Sequence, residues 1–259
     1  MTGLRLALVQ HAASLDPVEN RAGLSALSGR IEPDTGLVLL PEAAMRDFGA
    51  PGSDLGAFAE PLDGPFVTAL SGFAEEHRTT VVAGMFEVSD DPARPWNTLA
   101  VVDAGGLRAS YRKIHLYDSF GYRESDRLCA GDLEPVLVDV GGVRVGLMTC
   151  YDLRFPELSR ELVRQGAELL VAPSAWVAGP LKVDHWRTLL RARAIENTAY
   201  VAAVGQPGPR YTGHSLVVGP DGQIVAEVGD GDHVVTASVL TDEVARARAD
   251  NPSLLNRRF

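Results

Sequence analysis

Lysine is almost missing from this 259-residue chain, which places it only at Lys113 and Lys182 beside 22 arginines. A lysine in so arginine-rich a chain marks a place where a compact ammonium, whose pKa shifts readily on burial, serves better than a planar guanidinium. Cysteine is too scarce for a secreted disulfide scaffold. The chain holds Cys129 and Cys150, neither in a CxxC or Cys/His spacing that reads as zinc, and a reducing cytoplasm fits that usage. No 18 uninterrupted apolar residues occur, and the opening MTGLRLALVQ has no long apolar stretch behind a basic start, so nothing is expected to target or span a membrane. Positive charge is in deficit too. A net charge of −10 has the wrong sign for a surface that neutralises nucleic-acid phosphates or anionic lipid. A Walker-type phosphate loop, GxGxxG after a strand, HExxH and a GxSxG elbow are all absent, so nucleotide, zinc and serine-hydrolase chemistry lose their usual marks.

What is there is an ordinary globular composition, 46% hydrophobic and 22% charged, long enough to bury a full core without disulfides or metal. Short apolar, β-branched runs predict strands at 4–10, 36–42, 79–88, 96–104, 143–150, 168–176, 200–206, 214–220, 223–229 and 233–239. Helical spacing, with Pro near the first turn or Gly past the last in several cases, predicts helices over 17–30, 64–78, 155–166, 183–197 and 241–250. Gly-rich turns at 104–106, 141–142 and 220–222 join neighbouring strands as hairpins, while strand and helix alternate elsewhere, so the sheets should be mixed. Near-continuous apolar strands are buried on both faces. Two mixed sheets covered by helices satisfy that demand, and with no repeat or long polar linker the whole of 1–259 reads as a single α/β domain.

Cys150 ends the run VGLMTC just ahead of a helix start at Phe155-Pro156-Glu157-Leu158. There, backbone N–H groups and the helix dipole favour a thiolate and can hold an oxyanion, although a small buried hydrophobe at a sheet rim is an equal reading. Glu42 follows Pro41 at the carboxyl end of GLVLLPE, the edge where open α/β sheets place ligands, and suits a general base or simply a solvated strand end. Lys113 in YRKIHLYD is either one more polar residue of an exposed strand face or an ammonium set beside an oxyanion. Glu124 is a carboxylate soon after it, which on its own also reads as an ordinary surface residue. Arg154 suits a bidentate grip on a substrate carboxylate, or a pair with Asp152 or Glu157. Trp176 suits a pocket wall or an ordinary rim. Lys182, at a helix entry, and Cys129, in a polar loop, lack a comparable setting; His115, His185 and His214 are scattered.

LPEA at 40–43, YRKIHLYD at 111–118 and CYDLRFPEL at 150–158 together resemble the three signatures of the nitrilase superfamily of carbon–nitrogen hydrolases, in that family's order of Glu, Lys and Cys. GHS at 213–215, ARAIEN at 192–197 and the terminal NRRF extend the resemblance over essentially the whole chain. It implies a four-layer αββα sandwich, assembly as a homodimer or larger homo-oligomer, and hydrolysis without a cofactor or metal. It also implies Glu42 as general base, Cys150 as nucleophile, Lys113 as stabiliser of the tetrahedral intermediate and Glu124 as a second, orienting glutamate. The chain looks most like the amidases of small carboxylated amides, the ω-amidases and deaminated glutathione amidases, which implies substrate contacts by Tyr151, Arg154 and Trp176. Hydrolysis of N-carbamoyl compounds or nitriles is the alternative chemistry, and a non-catalytic thiol sensor the alternative class. Two segments depart from those relatives: the loop from Asp118 to Glu124 looks shorter and GPLKVDHW at 179–186 looks longer, and both are expected to border the pocket.

Overall fold

The computed structural model describes residues 3–258. Its first half runs β1 (Gly3–Gln10), α1 (Pro17–Leu27), β2 (Leu37–Leu39), α2 (Pro65–His77), β3 (Thr80–Glu87), β4 (Trp96–Asp103) and β5 (Gly106–Arg112). A small hairpin follows, β6 (Asp118–Ser119) and β7 (Tyr122–Arg123), and then β8 (Leu137–Val140) and β9 (Val143–Leu147). The remainder is α3 (Pro156–Arg164), β10 (Leu169–Val171), α4 (Lys182–Asn197), β11 (Tyr200–Ala203), β12 (Leu216–Val218), β13 (Ile224–Glu227), β14 (His233–Leu240) and α5 (Thr241–Asp250).

Two six-stranded mixed sheets result, in the orders β14-β1-β2-β3-β4-β5 and β13-β12-β11-β10-β9-β8. Each has three parallel strands at its centre, β1 to β3 in one and β9 to β11 in the other, with antiparallel strands outside them. Because side chains alternate across a strand, one face of the first sheet can meet the second sheet while the other meets helices. Leu6, Leu8, Leu37 and Leu39 share an apolar cluster with Val145, Leu147, Leu169 and Val171 of the second sheet. Ala7, Val9 and Val38 point the opposite way, against Leu24 and Leu27 of α1 and Phe66, Leu70 and Phe73 of α2. Leu158 and Leu162 of α3 and Leu190 and Ala194 of α4 cover the second sheet. The order helix, sheet, sheet, helix is the four-layer sandwich that the sequence predicts.

All ten apolar runs contain strands, yet several regular ladders stop short of the predicted ends. The run 36–42 is strand only to Leu39, 143–150 only to Leu147, and 168–176 only to Val171. Pro41 and Pro173 have no N–H to extend a ladder, and Ala43 and Cys150 lie at left-handed φ of 57° and 46°. The residues beyond each ladder leave the sheets and build the site. β5 and β8, which the sequence marks only through their hairpin turns, are edge strands with half-exposed residues and so lack a continuous apolar run.

Candidate active site

Glu42 is delivered by the turn after β2 and held against β3: Gly84 N–H donates to Pro41 O at 3.1 Å, and Met45 N–H to Gly84 O at 3.0 Å. The fit leaves no room for a side chain at 84, where a Cβ would stand 2.4 Å from Ala43 N and 2.6 Å from Glu42 Cα. Cys150 opens a short 3-10 turn, Cys150–Arg154, after β9, with its N–H on Pro173 O at 3.1 Å. Its left-handed φ is a sterically costly setting for a side-chain-bearing residue and turns the thiol off the strand line. Lys113 stands one residue past β5 with its N–H on Asn97 O at 2.8 Å, and Glu124 lies just after β7.

These elements converge. Lys113 Nζ lies 2.9 Å from Glu42 Oε1 and 2.9 and 3.1 Å from the two oxygens of Glu124. Glu42 also accepts from Asn97 Nδ2 at 2.7 Å and Ala175 N–H at 2.6 Å, and Glu124 from Tyr117 N–H at 2.6 Å. Lys113 and Glu42 are each 1% exposed, which settles the choice left open at Lys113 against an exposed strand face. Burial works to lower the ammonium's pKa, but Glu124 and Glu42 outweigh it and hold Lys113 well above an ordinary lysine. Glu124 is pushed up, first by burial and further by Glu42, against the pull of Lys113. The Cys150 thiol is driven well above its ordinary value by burial and then by the facing Glu42 carboxylate. The site thus favours the thiol over the thiolate expected from the helix start, because a desolvated anion facing a carboxylate costs more than a helix N-terminus returns.

From this buried end a cavity of about 810 Å³ opens outward, lined by Cys150, Tyr151, Arg154, Trp176, Tyr117 and Lys182 among others. Arg154 pairs with neither acid proposed for it. Asp152 faces the other way, accepting from Tyr111 Oη at 2.7 Å, Thr149 N–H at 2.9 Å and His115 N–H at 3.1 Å, with His115 Nδ1 at 2.7 Å. The Arg154 Nε and Nη2 atoms are buried without a hydrogen-bond partner, and the guanidinium lies 4.9 Å from the Trp176 ring and 6.0 Å from that of Tyr151. Trp176 is 3% exposed and walls the cavity, its Nε1 donating to Lys182 O at 3.0 Å.

Four participants escape the sequence reading. Asn97 looks like an interruption of the apolar run WNTLAVVDA, a polar residue that could have been flagged as needing a buried partner. Asp152 and His115 form a hub between the end of β5 and the Cys150 turn, with His115 stacked on Phe155 at 3.8 Å. Lys182 enters the cavity, 3.3 Å from Tyr117 Oη, so the long segment around it and the short loop carrying Phe120 both border the pocket as expected. Cys129 is a free, half-buried thiol 3.8 Å from Ser89 Oγ and outside the cavity lining. Among the described residues no group of three or more His, Cys, Asp or Glu is placed to hold a metal ion, and no helix is long and apolar enough to cross a membrane.

Comparison with known proteins gives a consistent result. The carbon-nitrogen hydrolase family model matches residues 5–249. The deaminated glutathione amidase of Escherichia coli O157:H7 is 42% identical over 238 residues, 91% of this chain and 89% of that protein. The 2-oxoglutaramate amidase of Paenarthrobacter nicotinovorans is 37% identical over 210 residues, 76% of this chain and 70% of that one. A CN-hydrolase superfamily protein of Xanthomonas campestris, solved with an arsenic adduct in its active site, superposes with a TM-score of 0.88 at 32% identity, covering 100% of this chain and 98% of its own.

Proposed function

We propose that this chain, which belongs to the carbon–nitrogen hydrolase family, is a thiol-dependent amidase that cleaves small carboxylated amides through a thioester on Cys150. The observation that carries the reading is the convergence of Glu42, Lys113, Glu124 and Cys150 at one end of a cavity in which Arg154 offers buried, unpartnered guanidinium nitrogens. That 1–259 acts as one catalytic unit is part of the same reading, since both sheets contribute: Glu42 comes from one, Cys150 and Ala175 from the other.

Amides are poor electrophiles, so the step needs a base, a nucleophile and a charge to meet the oxyanion. Glu42 takes the thiol proton as Sγ bonds to the carbonyl carbon, and the carbonyl π electrons move to oxygen. Lys113 answers that developing negative charge mainly as a fixed positive charge, because its ammonium already serves Glu42 and Glu124. Collapse of the tetrahedral centre breaks the C–N bond, and the amine leaves with the proton held on Glu42. Water, deprotonated by Glu42, then attacks the thioester, and Cys150 departs as the thiol while the acid is released. Glu124 positions Lys113, and Arg154, walled by Tyr151 and Trp176, grips the substrate carboxylate, fixing the amide toward the thiol.

Two free cysteines accord with a cytoplasmic setting, and the exposed apolar Ile195, Ile224 and Val225 favour self-association as a homodimer or larger assembly, with neither nucleic acid nor membrane as partner. The test is ammonia or amine release by wild type and Cys150→Ala on 2-oxoglutaramate, a neutral aliphatic amide, an N-carbamoyl amino acid and a nitrile. Turnover of the carboxylated amide by wild type, and a loss of about 10⁴-fold or more in a variant that keeps its melting temperature, is the expected result. Residual turnover at the wild-type rate would falsify the mechanism, and preference for the carbamoyl compound or the nitrile would redirect the substrate class.

A further inference from the structure

We propose that Asn97 is a positioning residue that decides where the Cys150 proton goes: by filling the open lone pair of Glu42 Oε1, it leaves Oε2 as the acceptor for the thiol. This rests on the amidase reading, in which Glu42 is the general base. A carboxylate offers about four lone-pair sites, two on each oxygen. Glu42 Oε1 receives Asn97 Nδ2 at 2.7 Å and Lys113 Nζ at 2.9 Å, whereas Oε2 receives Ala175 N–H at 2.6 Å. Among the described residues the site left open is therefore on Oε2, and it lies on the reacting side: Ala175 and Cys150 line the cavity, while Asn97 is 0% exposed and outside that lining. When Sγ attacks the carbonyl carbon, the S–H bond breaks, its electron pair stays with sulfur, and the proton bonds to Oε2, from which it leaves with the amine as the C–N bond breaks.

Lys113 does not fix Oε1 by itself, because its ammonium is shared with both oxygens of Glu124 and must also answer the oxyanion. An amide suits the task because it neither takes up nor gives up a proton near neutral pH. Its other end supports the assignment. Asn97 Oδ1 is buried without a hydrogen-bond partner, a costly arrangement that strand β4 gains nothing from, and a turned amide would set that oxygen against the Glu42 carboxylate. The backbone of the same residue holds Lys113, whose N–H donates to Asn97 O at 2.8 Å, so one position of β4 spaces the base from the ammonium. The titratable groups facing Glu42 and position 97, among the described residues, are Lys113, Glu124, Cys150 and the Tyr211 phenol, which burial and Asp47 push far up. Thr98, with the Glu87–Arg112 pair beside it, belongs to the opposite face of β4.

The test uses the whole protein and 2-oxoglutaramate. Asn97→Leu keeps most of the side chain's bulk and removes the N–H, so kcat should fall about 10- to 100-fold while KM, set by an untouched cavity lining, changes less than about threefold. Asn97→Asp places a carboxyl at the same point: protonated it donates to Oε1 as the amide does, and ionised it opposes Glu42. Its kcat should be highest at low pH and fall about tenfold per unit as pH rises, over a range where wild type is flat or rising. Far-UV circular dichroism at each pH separates unfolding from chemistry. A wild-type kcat in Asn97→Leu, a loss carried by KM, or an Asn97→Asp profile parallel to wild type would overturn the assignment, while wild-type turnover leaves the amidase reading standing. Wild-type silence on 2-oxoglutaramate and on a neutral amide would overturn both.

Discussion

Within one cavity, Glu42, Lys113 and Glu124 hold one another at distances of 2.9 to 3.1 Å, whereas Arg154 and Lys182 face aromatic rings and, among the described residues, no carboxylate. The buried group is an internally paired network whose members exist in the charge states their neighbours impose. The outer cations are left for a ligand to balance. With the thiol neutral, two glutamates face one ammonium inside and two cations stand outside, a polarity that orders an acid-ended amide with its carboxylate outward. Preorganisation is thus divided between a region that fixes reacting groups and a region that fixes the substrate's direction.

Breaking the balanced end should have the largest effect. Lys113→Met leaves two carboxylates buried without their common partner, so a stability loss of about 3–5 kcal/mol in denaturant unfolding is expected together with a fall in turnover of about 10²–10³-fold. An unchanged melting curve would show that the network does not hold the inner end together. The outer end should respond differently. Arg154→Met removes a cation that no described residue neutralises, so unfolding free energy should stay within about 0.5 kcal/mol or rise, while KM for 2-oxoglutaramate increases about 10- to 100-fold and that for a neutral amide changes far less. Parallel losses on charged and neutral amides would remove the contrast between the two ends. The smallest shift, in the ionisation of one thiol, is the most discriminating. Glu42→Gln deletes the carboxylate that, after burial, does most to raise the Cys150 pKa, so the thiol should ionise at lower pH than in wild type even as hydrolysis disappears for want of a base. Thiolate absorbance followed through a pH titration reads it, and an upward or absent shift would contradict the pairing of Glu42 with the thiol.

The inner end was largely legible in the sequence because its members stand where buried strands stop: Glu42 after Pro41, Cys150 after an apolar run, Lys113 in a polar stretch of an arginine-rich chain. Their convergence was legible only through resemblance, since the bond between Lys113 and Glu42 joins residues 71 positions apart. The outer end was less so. Whether Arg154 pairs with Asp152 depends on which way Asp152 turns, and that is decided by Tyr111 on β5 and His115 just past its end. Lys182 shows nothing in its own segment that places it beside Tyr117, 65 positions earlier. The raised Cys150 pKa was not legible for a related reason: a local cue, the helix start, is outweighed by burial and by a carboxylate from the other sheet.

The scarcity of lysine gives the molecule a practical property. Lys113 is sealed at 1% exposure within its two carboxylates, while Lys182 is half-buried at the open end with an amine whose proton is held less tightly than usual. An amine-directed reagent at mild alkaline pH would therefore find one reactive side chain in the folded protein, so a reporter dye on Lys182, with the α-amino group blocked, would sense what enters the cavity without any engineered cysteine.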